Sequence, residues 1–235
     1  LLGLITMFIG AMLALFSINL KRTLACSSIS QIGFILTGIG MSCLLQAAGE
    51  DRGLAVRGAF LHMINHSLFK LVLFLCAAAV YMNLHQLDLN EIRGFGKRKP
   101  LLMFCFLMGA LGIGGMPLWS GYVSKTLLHE SIVEYGKAAA EISKAGVWEA
   151  GAGFMDGRGF GILVSPGFWH GAEWVFLVSG GMTVAYMMKL FVALFVDSHP
   201  TRQKEFDAMG GNGLGKNFHG MKKKEDWKNW SGKES

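Results

Sequence analysis

Residues 55–82 read AVRGAFLHMINHSLFKLVLFLCAAAVYM, an apolar run that carries two histidines and a lysine in its central part. An α-helix needs about twenty predominantly apolar residues to cross a hydrocarbon core of roughly 30 Å, so this run can span a bilayer. His62, His66 and Lys70 are spaced i, i+4 and i+8, which places all three on one face of the helix. The stretch therefore predicts a spanning helix with a line of titratable groups along one side.

Four further apolar runs flank this one, at about 1–20, 24–46, 101–134 and 172–197. The chain is 52% hydrophobic and 16% charged, with a mean hydropathy of +0.41, which is more apolar than a soluble domain usually is. Helices are expected because a spanning backbone must satisfy its own hydrogen bonds, and the alternating pattern of barrel strands is missing. We predict an all-α membrane protein with about five transmembrane helices in a domain covering residues 1–197.

The basic residues are divided unevenly between the loops. If the chain starts outside and each run crosses once, fourteen of the 22 lysines and arginines fall inside, five fall outside, and three lie within the runs. Because cytoplasmic loops carry the excess of basic residues, we expect a multi-pass protein of the cell inner (plasma) membrane with a cytoplasmic C-terminal tail. The net charge of +6 then follows from topology, which argues against nucleic-acid binding.

Two segments outside the runs have loop-like compositions. The tail, 198–235, is polar and basic, and we expect it to be disordered; as an alternative, its Lys222–Lys224 run with Trp227 and Trp230 would dock on anionic headgroups. The stretch 136–171 is rich in glycine and alanine, and no strand precedes it. A flexible external loop is therefore favoured over a phosphate-binding loop.

The two ends of the first run suggest that the sequence is a piece of a longer protein. It begins at Leu1 inside the run, without a methionine or a basic flank, and no small-residue cleavage site of a signal peptide closes the run. The cysteines stand singly in apolar runs, as small core residues do, so a disulfide, zinc or iron–sulfur site is not indicated. They are Cys26, Cys43, Cys76 and Cys105.

Three lysines, Lys70, Lys125 and Lys189, lie within the apolar runs. Each opposes insertion by about 2.5–3.5 kcal/mol at the bilayer centre unless it faces protein or water. Lys70 is near the middle of its run and too deep to reach either surface, whereas Lys189 is within about two turns of its run's end and is expected to snorkel. No run has a carboxylate in its middle, so the counter-charges must come from water, from helix ends or from helices absent here.

The histidine and lysine face of run 55–82 has three interpretations. Two histidines at i, i+4 can bind zinc, but His62-Met63-Ile64-Asn65-His66 lacks the glutamate of a metalloprotease helix. A purely structural polar network, to which Asn65 and Ser67 add hydrogen bonds, is a stronger alternative. A proton relay is favoured over both, because histidine and desolvated lysine can exchange protons near neutral pH.

The run 101–134 is too long for one straight crossing and contains Gly112, Gly114, Gly115 and Pro117. Proline removes a backbone donor and glycine permits irregular turns, so we predict a helix break there. Broken membrane helices often mark ion sites. With a break, Lys125 lies near mid-depth, with Ser120 and Ser124 nearby; without one, it would lie near the outer surface and snorkel.

These motifs resemble the signatures of a known family. The run LKRTLACSSISQIGF at 20–34 resembles the KR-lAysSisqiG signature of antiporter-like membrane subunits, which include the proton-pumping subunits of respiratory complex I, membrane-bound hydrogenase subunits and Mrp-type antiporters. The H-x-x-x-H-x-x-x-K core of 62–75 and the segment 109–128, which ends in PLWSGYVSKTLL, are similar to the next two signatures. Order and spacing match along residues 1 to about 197.

The resemblance implies a role for each of these residues. Lys125 would be the lysine on the broken helix of the C-terminal half-channel, while His62, His66 and Lys70 would line a central hydrophilic axis. Lys21 would lie at a cytoplasmic helix end and shape an entrance, although positive-inside anchoring explains it equally well. The family has roughly fourteen helices in two inverted five-helix repeats, and here only the C-terminal part is present, without the essential glutamate–lysine pair of the N-terminal repeat.

The implied function is that of a proton-translocating membrane subunit of an NADH-quinone oxidoreductase-like or membrane-bound hydrogenase complex. Its partners would be other membrane subunits of that complex and the lipid bilayer, its cargo protons or sodium, and its redox chemistry would lie in partner subunits, with no cofactor or metal on this chain. The alternatives are a subunit of a secondary Mrp-type cation/proton antiporter and a nonfunctional fragment.

Overall fold

The computed structural model describes residues 1–145, 165–204 and 206–207, and these form six long α-helices. Their bounds are α1 Leu2–Phe16, α2 Leu20–Ala48, α3 Gly53–Leu84, α4 Pro100–Gly114, α5 Ser120–Ala145 and α6 Pro166–Phe191, with a π-helical turn at Val192–Val196. The secondary structure of the described part is therefore α-helical, which confirms that part of the predicted fold class. Most of the predicted tail, including Lys222–Lys224, and the glycines of 151–161 lie outside the described residues.

Three of the described helices are long and apolar enough to cross a membrane. They are α2, α3 and the segment Gly167–Val196, which joins most of α6 to the π-helical turn. Helices α1 and α4 are also apolar, but each has 15 residues, fewer than the roughly twenty that a bilayer crossing needs. Many large apolar side chains on α1 and α3, such as Phe60 with 61% exposure, face outward. The count of five crossings stays a prediction.

Local sequence sets several helix boundaries. Helix α2 begins at Leu20, before the apolar run 24–46, because the Asn19 side chain accepts from the backbone N–H groups of Lys21 and Arg22. The predicted loop 136–171 is too long at both ends, since α5 continues to Ala145 and α6 begins at Pro166. Alanine is the best helix former, and proline suits the first position of a helix.

Helices α1 and α2 form a hairpin in which the two backbones touch. A Cβ at Gly10 would collide with the backbone of Ser30, and one at Gly33 would collide with the backbone of Met7. The Ser30 hydroxyl donates to the Met7 carbonyl at 2.9 Å across the same contact. Small residues allow such close packing between membrane helices, where van der Waals contact replaces the hydrophobic effect.

The predicted run 101–134 is divided into α4 and α5 by residues 115–119. Gly115 ends α4 in the left-handed region with φ 76°, and its N–H donates to Gly112 O while the Met116 N–H donates to Leu111 O. This is the Schellman arrangement, which leaves the last carbonyls of the helix free to accept from elsewhere. Leu118 in the connection also has a positive φ, 77°, and is fully exposed.

The remaining helices enclose one face of α3. Helix α3 packs against α2, α4 and α5, while α6 packs against α1, α4 and α5, so the inner faces of α2, α3, α5 and α6 meet at the centre. The loop after α3 is fixed to the end of α6, because Gly94 N and Gly96 N donate to Ala193 O and Leu194 O, each at 2.9 Å. Those carbonyls lie in the π-helical turn at the end of α6.

Candidate functional site

His62 of α3 lies where four helices meet and is only 3% exposed. Its Nε2 is 3.0 Å from Gln31 Oε1 on α2, and its Nδ1 is 3.0 Å from Ser124 Oγ on α5. Gln31 Nε2 in turn donates to Thr183 Oγ1 on α6 at 3.3 Å, and Thr183 donates to the Ser179 carbonyl at 2.9 Å. One imidazole thus connects all four helices through hydrogen bonds.

The hydrogen bonds around His62 can be completed in both protonation states of its ring. The Ser124 hydroxyl is 3.0 Å from His62 Nδ1 and also 3.0 Å from the Gly121 carbonyl. With a neutral ring, Nε2–H donates to Gln31 and the Ser124 hydroxyl donates to Nδ1; with a protonated ring, Nδ1–H donates to Ser124, whose hydroxyl donates to Gly121. Rotation of one hydroxyl group therefore lets His62 gain or lose a proton while the heavy atoms stay in place.

Lys70 lies two turns along α3 from His62 and is 6% exposed. Its Nζ donates to the Leu24 carbonyl at 2.7 Å and to the Ser27 hydroxyl, both on α2. No ion pair joins Lys70 to a carboxylate among the described residues. Its charge is therefore met by a carbonyl and a hydroxyl dipole, which compensate an ammonium group less completely than a carboxylate would.

Lys125 of α5 reaches back to the end of α4 and is 9% exposed. Its Nζ donates to the carbonyls of Ile113 at 2.9 Å and Gly114 at 3.2 Å, two acceptors that the break leaves free. The C-terminus of a helix carries a partial negative charge, so this position attracts a cation. The ammonium also lies 5.2 Å from the centre of the Phe34 ring. The glycines and the proline singled out in the sequence thus lie at or beside the end of α4, where the carbonyls of Ile113 and Gly114 accept from Lys125.

We call Ser27, Gln31, His62, Lys70, Ser124 and Lys125 the buried polar cluster. The Tyr186 hydroxyl on α6 is fully buried beside it, near Ser27, Gln31 and Thr183, without a well-formed hydrogen bond to any described residue. It lies near both Ser27, which binds Lys70, and Gln31, which binds His62. Asn65 joins the helix break from α3, because its Nδ2 donates to the Ser120 carbonyl at 3.0 Å.

Other sequence-predicted residues lie outside the buried polar cluster. His66 is half-buried, and its Nε2 is enclosed without a hydrogen-bond partner among the described residues. Lys21 is exposed at the start of α2. The Ser67 hydroxyl donates to the Met63 carbonyl of its own helix, so it adds nothing to the network.

Lys189 is bound by the C-terminal end of α1. Its Nζ donates to the carbonyls of Leu15 at 2.6 Å and Ser17 at 2.7 Å. Free carbonyls and the partial negative charge of a helix end attract a cation there, and the snorkelling expected of Lys189 stays a prediction.

Sequence reasoning missed Gln31 as a partner of His62, and it missed Thr183 and Tyr186 as neighbours of Gln31. A signal for Gln31 was present, because it follows Ser27 by one helical turn and both are polar residues on the same face of an apolar helix. Thr183 and Tyr186 are on α6, and Thr183 is 152 positions after Gln31 in the sequence. Only the packing of α6 against α2 brings these residues next to Gln31. No local pattern predicts a pairing over such a separation.

Comparison with known proteins adds an independent observation. Residues 1–145 match the profile of the family described as NADH:quinone oxidoreductase/Mrp antiporter, transmembrane. Formate hydrogenlyase subunit 3 of Escherichia coli is 27% identical over 206 residues, which cover 87% of this chain and 30% of the relative. NAD(P)H-quinone oxidoreductase chain 4 1 of Synechococcus elongatus is 37% identical over 124 residues, 53% of this chain and 22% of the relative.

A further relative carries a different kind of name. The putative antiporter subunit mnhA2 of Staphylococcus haemolyticus is 31% identical over 150 residues, which cover 62% of this chain and 18% of the relative. This chain therefore spans less than a third of the length of each of the three relatives.

Proposed function

The chain belongs to the transmembrane family of NADH:quinone oxidoreductases and Mrp antiporters, and on this premise we propose that it passes protons through its buried polar cluster. The observation that carries the proposal is the pair of deeply buried lysines, Lys70 and Lys125, which share the buried polar cluster with His62 and have no carboxylate partner among the described residues. An ammonium group in such a place is stabilised only by dipoles, so gaining and losing its proton is energetically feasible.

The proposed path uses the helix contacts described above. A proton arriving from the partner helices is held at Lys70, passes along the side of α3 that carries His66 and His62, and reaches Lys125 at the end of α4. The Ser124 hydroxyl allows His62 to act in both protonation states. Lys21, at the start of α2, would lie at the cytoplasmic entrance of the path. The broken helix, with Gly114, Gly115 and Pro117 at the break, supplies the carbonyls that hold Lys125.

The composition of the cluster favours protons over sodium as the cargo. Sodium is a hard cation that binds to oxygen ligands, and a carboxylate usually balances its charge. The buried polar cluster contains two lysines and a histidine but no carboxylate, so its charged groups would repel a metal cation. Proton transfer needs only donors and acceptors that can exchange roles, which lysine, histidine and serine provide.

We place this function in a larger membrane complex. Redox chemistry in partner subunits of a respiratory or hydrogenase-type complex would drive the lysines between charged and neutral states, and the chain itself would carry no cofactor. The relatives named as subunits of formate hydrogenlyase and NAD(P)H-quinone oxidoreductase support this choice. The second candidate is a subunit of a secondary Mrp-type cation/proton antiporter, supported by the relative named as an antiporter subunit. Neighbouring genes for hydrogenase or dehydrogenase subunits would decide between them.

The orientation in the membrane is part of the proposal. With the C-terminal tail in the cytoplasm of a plasma-membrane protein, the excess of basic residues lies inside, as the positive-inside rule requires. The N-terminal end of α6 then lies at the outer surface, and the π-helical turn at its other end faces the cytoplasm.

The proposal is tested in the full-length protein within its own complex, reconstituted in lipid vesicles. We expect that Lys125→Ala and Lys70→Ala each abolish proton pumping, measured by a pH-sensitive dye, while the complex keeps its size on gel filtration. Lys137→Ala, an exposed lysine of α5, is the matched control and should pump normally. Normal pumping by both buried-lysine variants would contradict the proposed path.

A further inference from the structure

A second group of titratable side chains lies between α5 and α6, outside the buried polar cluster. His129 Nε2 of α5 is 3.1 Å from Glu173 Oε1 of α6, and the two side chains are 24% and 31% exposed. His170, one turn earlier on α6, has its Nδ1 4.0 Å from Glu173 Oε2 and is 80% exposed. The three groups therefore lead from the space between two helices to the surface of the chain.

This group lies one helical turn from the buried polar cluster. His129 follows Lys125 by four positions on α5, which places it on the same side of the helix and about 6 Å further along its axis. His129 is therefore the first histidine that follows Lys125 in the direction of the α6 N-terminus.

Two aromatic rings separate the group from the cluster. The Phe34 ring lies 5.8 Å from the His62 ring and 5.2 Å from Lys125 Nζ on one side, and it packs edge-on against the Phe176 ring at 4.8 Å on the other. The Phe176 ring lies 5.9 Å from the His129 ring. Rings have no group that relays a proton, so this pair interrupts the series of polar side chains between cluster and surface.

The group opens to the outside near the start of α6. Trp174, the neighbour of Glu173, is 69% exposed, and the His170 side chain is 80% exposed. Tryptophan concentrates at membrane–water interfaces, where its ring is apolar and its polar atom reaches water. This favours a position of His129 and Glu173 close to that interface, within reach of bulk protons.

We propose that His129 and Glu173 form the proton-exchange site between the buried polar cluster and the membrane surface at the start of α6, and that Phe34 and Phe176 form the barrier that separates the two. The inference rests on the proposed function. Lys125 gives up a proton from its ammonium group and becomes a neutral amine. When the two rings move apart, a water molecule between them carries that proton to the His129 ring, which becomes an imidazolium beside the Glu173 carboxylate and then releases the proton to water outside.

The first test replaces the carboxylate. We expect Glu173→Gln, assayed in the reconstituted full-length complex, to lower proton pumping at least about tenfold, because the imidazolium of His129 loses its counter-charge. Glu173→Asp should restore most of the pumping, which a purely structural role of the side chain would not predict. The matched control is Glu130→Gln, an exposed carboxylate next to His129 in sequence, which should pump normally.

The outcomes of this test separate the two proposals. Normal pumping by Glu173→Gln together with loss of pumping in Lys125→Ala would overturn the exchange site and leave the proposed function in place. Normal pumping by both variants would overturn the proposed function as well.

The second test concerns the aromatic barrier. In vesicles without any driving reaction, Phe176→Ala should raise the passive proton leak about tenfold or more, because space for water opens between Lys125 and His129. The double variant Phe176→Ala/Glu173→Gln should lose that leak. Phe176→Leu, which keeps most of the volume, serves where the alanine variant fails to assemble and should leak less. An unchanged leak in an assembled variant that lacks the ring would overturn the barrier.

Discussion

Lys125 and Lys189 occupy two sites of the same design. Each reaches from one helix to the C-terminal end of another and donates two hydrogen bonds to free carbonyls, at the end of α4 in one case and of α1 in the other. Both positions use the partial negative charge of a helix end to hold an ammonium group. The common design shows that a lysine within an apolar run is not by itself a sign of ion transport.

The surroundings of the two lysines differ. Lys125 is 9% exposed, and the residue before it in sequence, Ser124, is bonded to the titratable ring of His62. The Phe34 ring contacts both Lys125 and His62, at 5.2 Å from Nζ and 5.8 Å from the imidazole. Lys189 is half-buried in the last turn of α6, and the hydrogen bonds described for its ammonium group go to backbone carbonyls alone. On the proposed function, we therefore expect a transport role for the first lysine and a structural role for the second.

The largest effect is expected in the proton-pumping rate, which should differ between variants of the two lysines. Lys125→Met should reduce proton pumping to the background of empty vesicles, because methionine fills the space but cannot carry a proton. Lys189→Met should keep at least half of the wild-type rate per assembled complex. Both rates are measured in the same reconstituted vesicles. If Lys189→Met also stops pumping in an assembled complex, the division into a transport lysine and a structural lysine fails.

The second prediction concerns the Ser124 hydroxyl, which is hydrogen-bonded to His62 and precedes Lys125 in sequence. Ser124→Ala should slow pumping about tenfold, the effect of losing one hydrogen bond of about 1.4 kcal/mol in the transfer step. Ser124→Thr keeps the hydroxyl and should recover most of the rate. Ser131→Ala is a matched control on the same helix, since that buried hydroxyl donates only to the Leu128 carbonyl. Equal rates in Ser124→Ala and wild type would contradict the proposed role of this hydroxyl.

The third prediction concerns stability, to which Lys189 should contribute more than Lys125. Lys189→Met should lower the stability of the purified protein by about 1–3 kcal/mol, because two carbonyls at the end of α1 lose a charged donor. Lys125→Met should lower it less, since removing the more deeply buried charge recovers part of the desolvation cost. Thermal unfolding in detergent, followed by circular dichroism, compares the two variants. A larger loss in Lys125→Met would contradict this account.

The fourth prediction tests the backbone that holds Lys125. Gly115 has a φ of 76°, and a Cβ there would also meet Lys125 Cδ at 2.9 Å. Gly115→Ala should therefore cost about 1–2 kcal/mol of stability from the left-handed conformation alone. Gly40→Ala is the control, because that helical glycine has open space around it and alanine is the better helix former. Unfolding in the same detergent measures both.

The smallest effect comes from a lysine outside the spanning segments. Lys99 precedes α4, lies 3.2 Å from the centre of the Phe95 ring, and burial lowers its pKa to about 8. Because the unfolded chain holds this proton up to a pKa near 10.4, stability should rise slightly between about pH 8 and pH 10.4. Lys99→Met should remove that part of the pH dependence. An unchanged slope would show that Lys99 is solvated in the folded state.

The sequence predicts the parts of this molecule that depend on neighbouring residues. The lengths of the apolar runs predict helices, and the spacing of His62, His66 and Lys70 predicts their common face, because both follow from helical geometry. The loop expected at 136–171 is shorter than predicted, because its alanines extend α5 to Ala145 and Pro166 starts α6. The cap at Asn19 also starts α2 before the apolar run.

The contacts between distant segments could not be predicted in the same way. Gln31 meets Thr183, and His129 meets Glu173, only because α6 packs beside α2 and α5. The sequence shows that these residues are polar, but it does not show which of them are hydrogen-bond partners. Predicting the pairs requires the packing angles of whole helices, which depend on side-chain volumes along the entire contact.

The direct backbone contact between α1 and α2 has a mechanical consequence. Because Gly10 and Gly33 bring main chain against main chain, no rotamer change can shift one helix along the other without a collision. Ser27 and Gln31 lie on a different side of α2 from this contact. Helix α1 therefore supports α2 on the side away from His62 and Lys70. A change in the donor–acceptor distances around His62 and Lys70 would therefore have to come from the side chains themselves or from α3, α5 and α6, since α2 is held in place by α1.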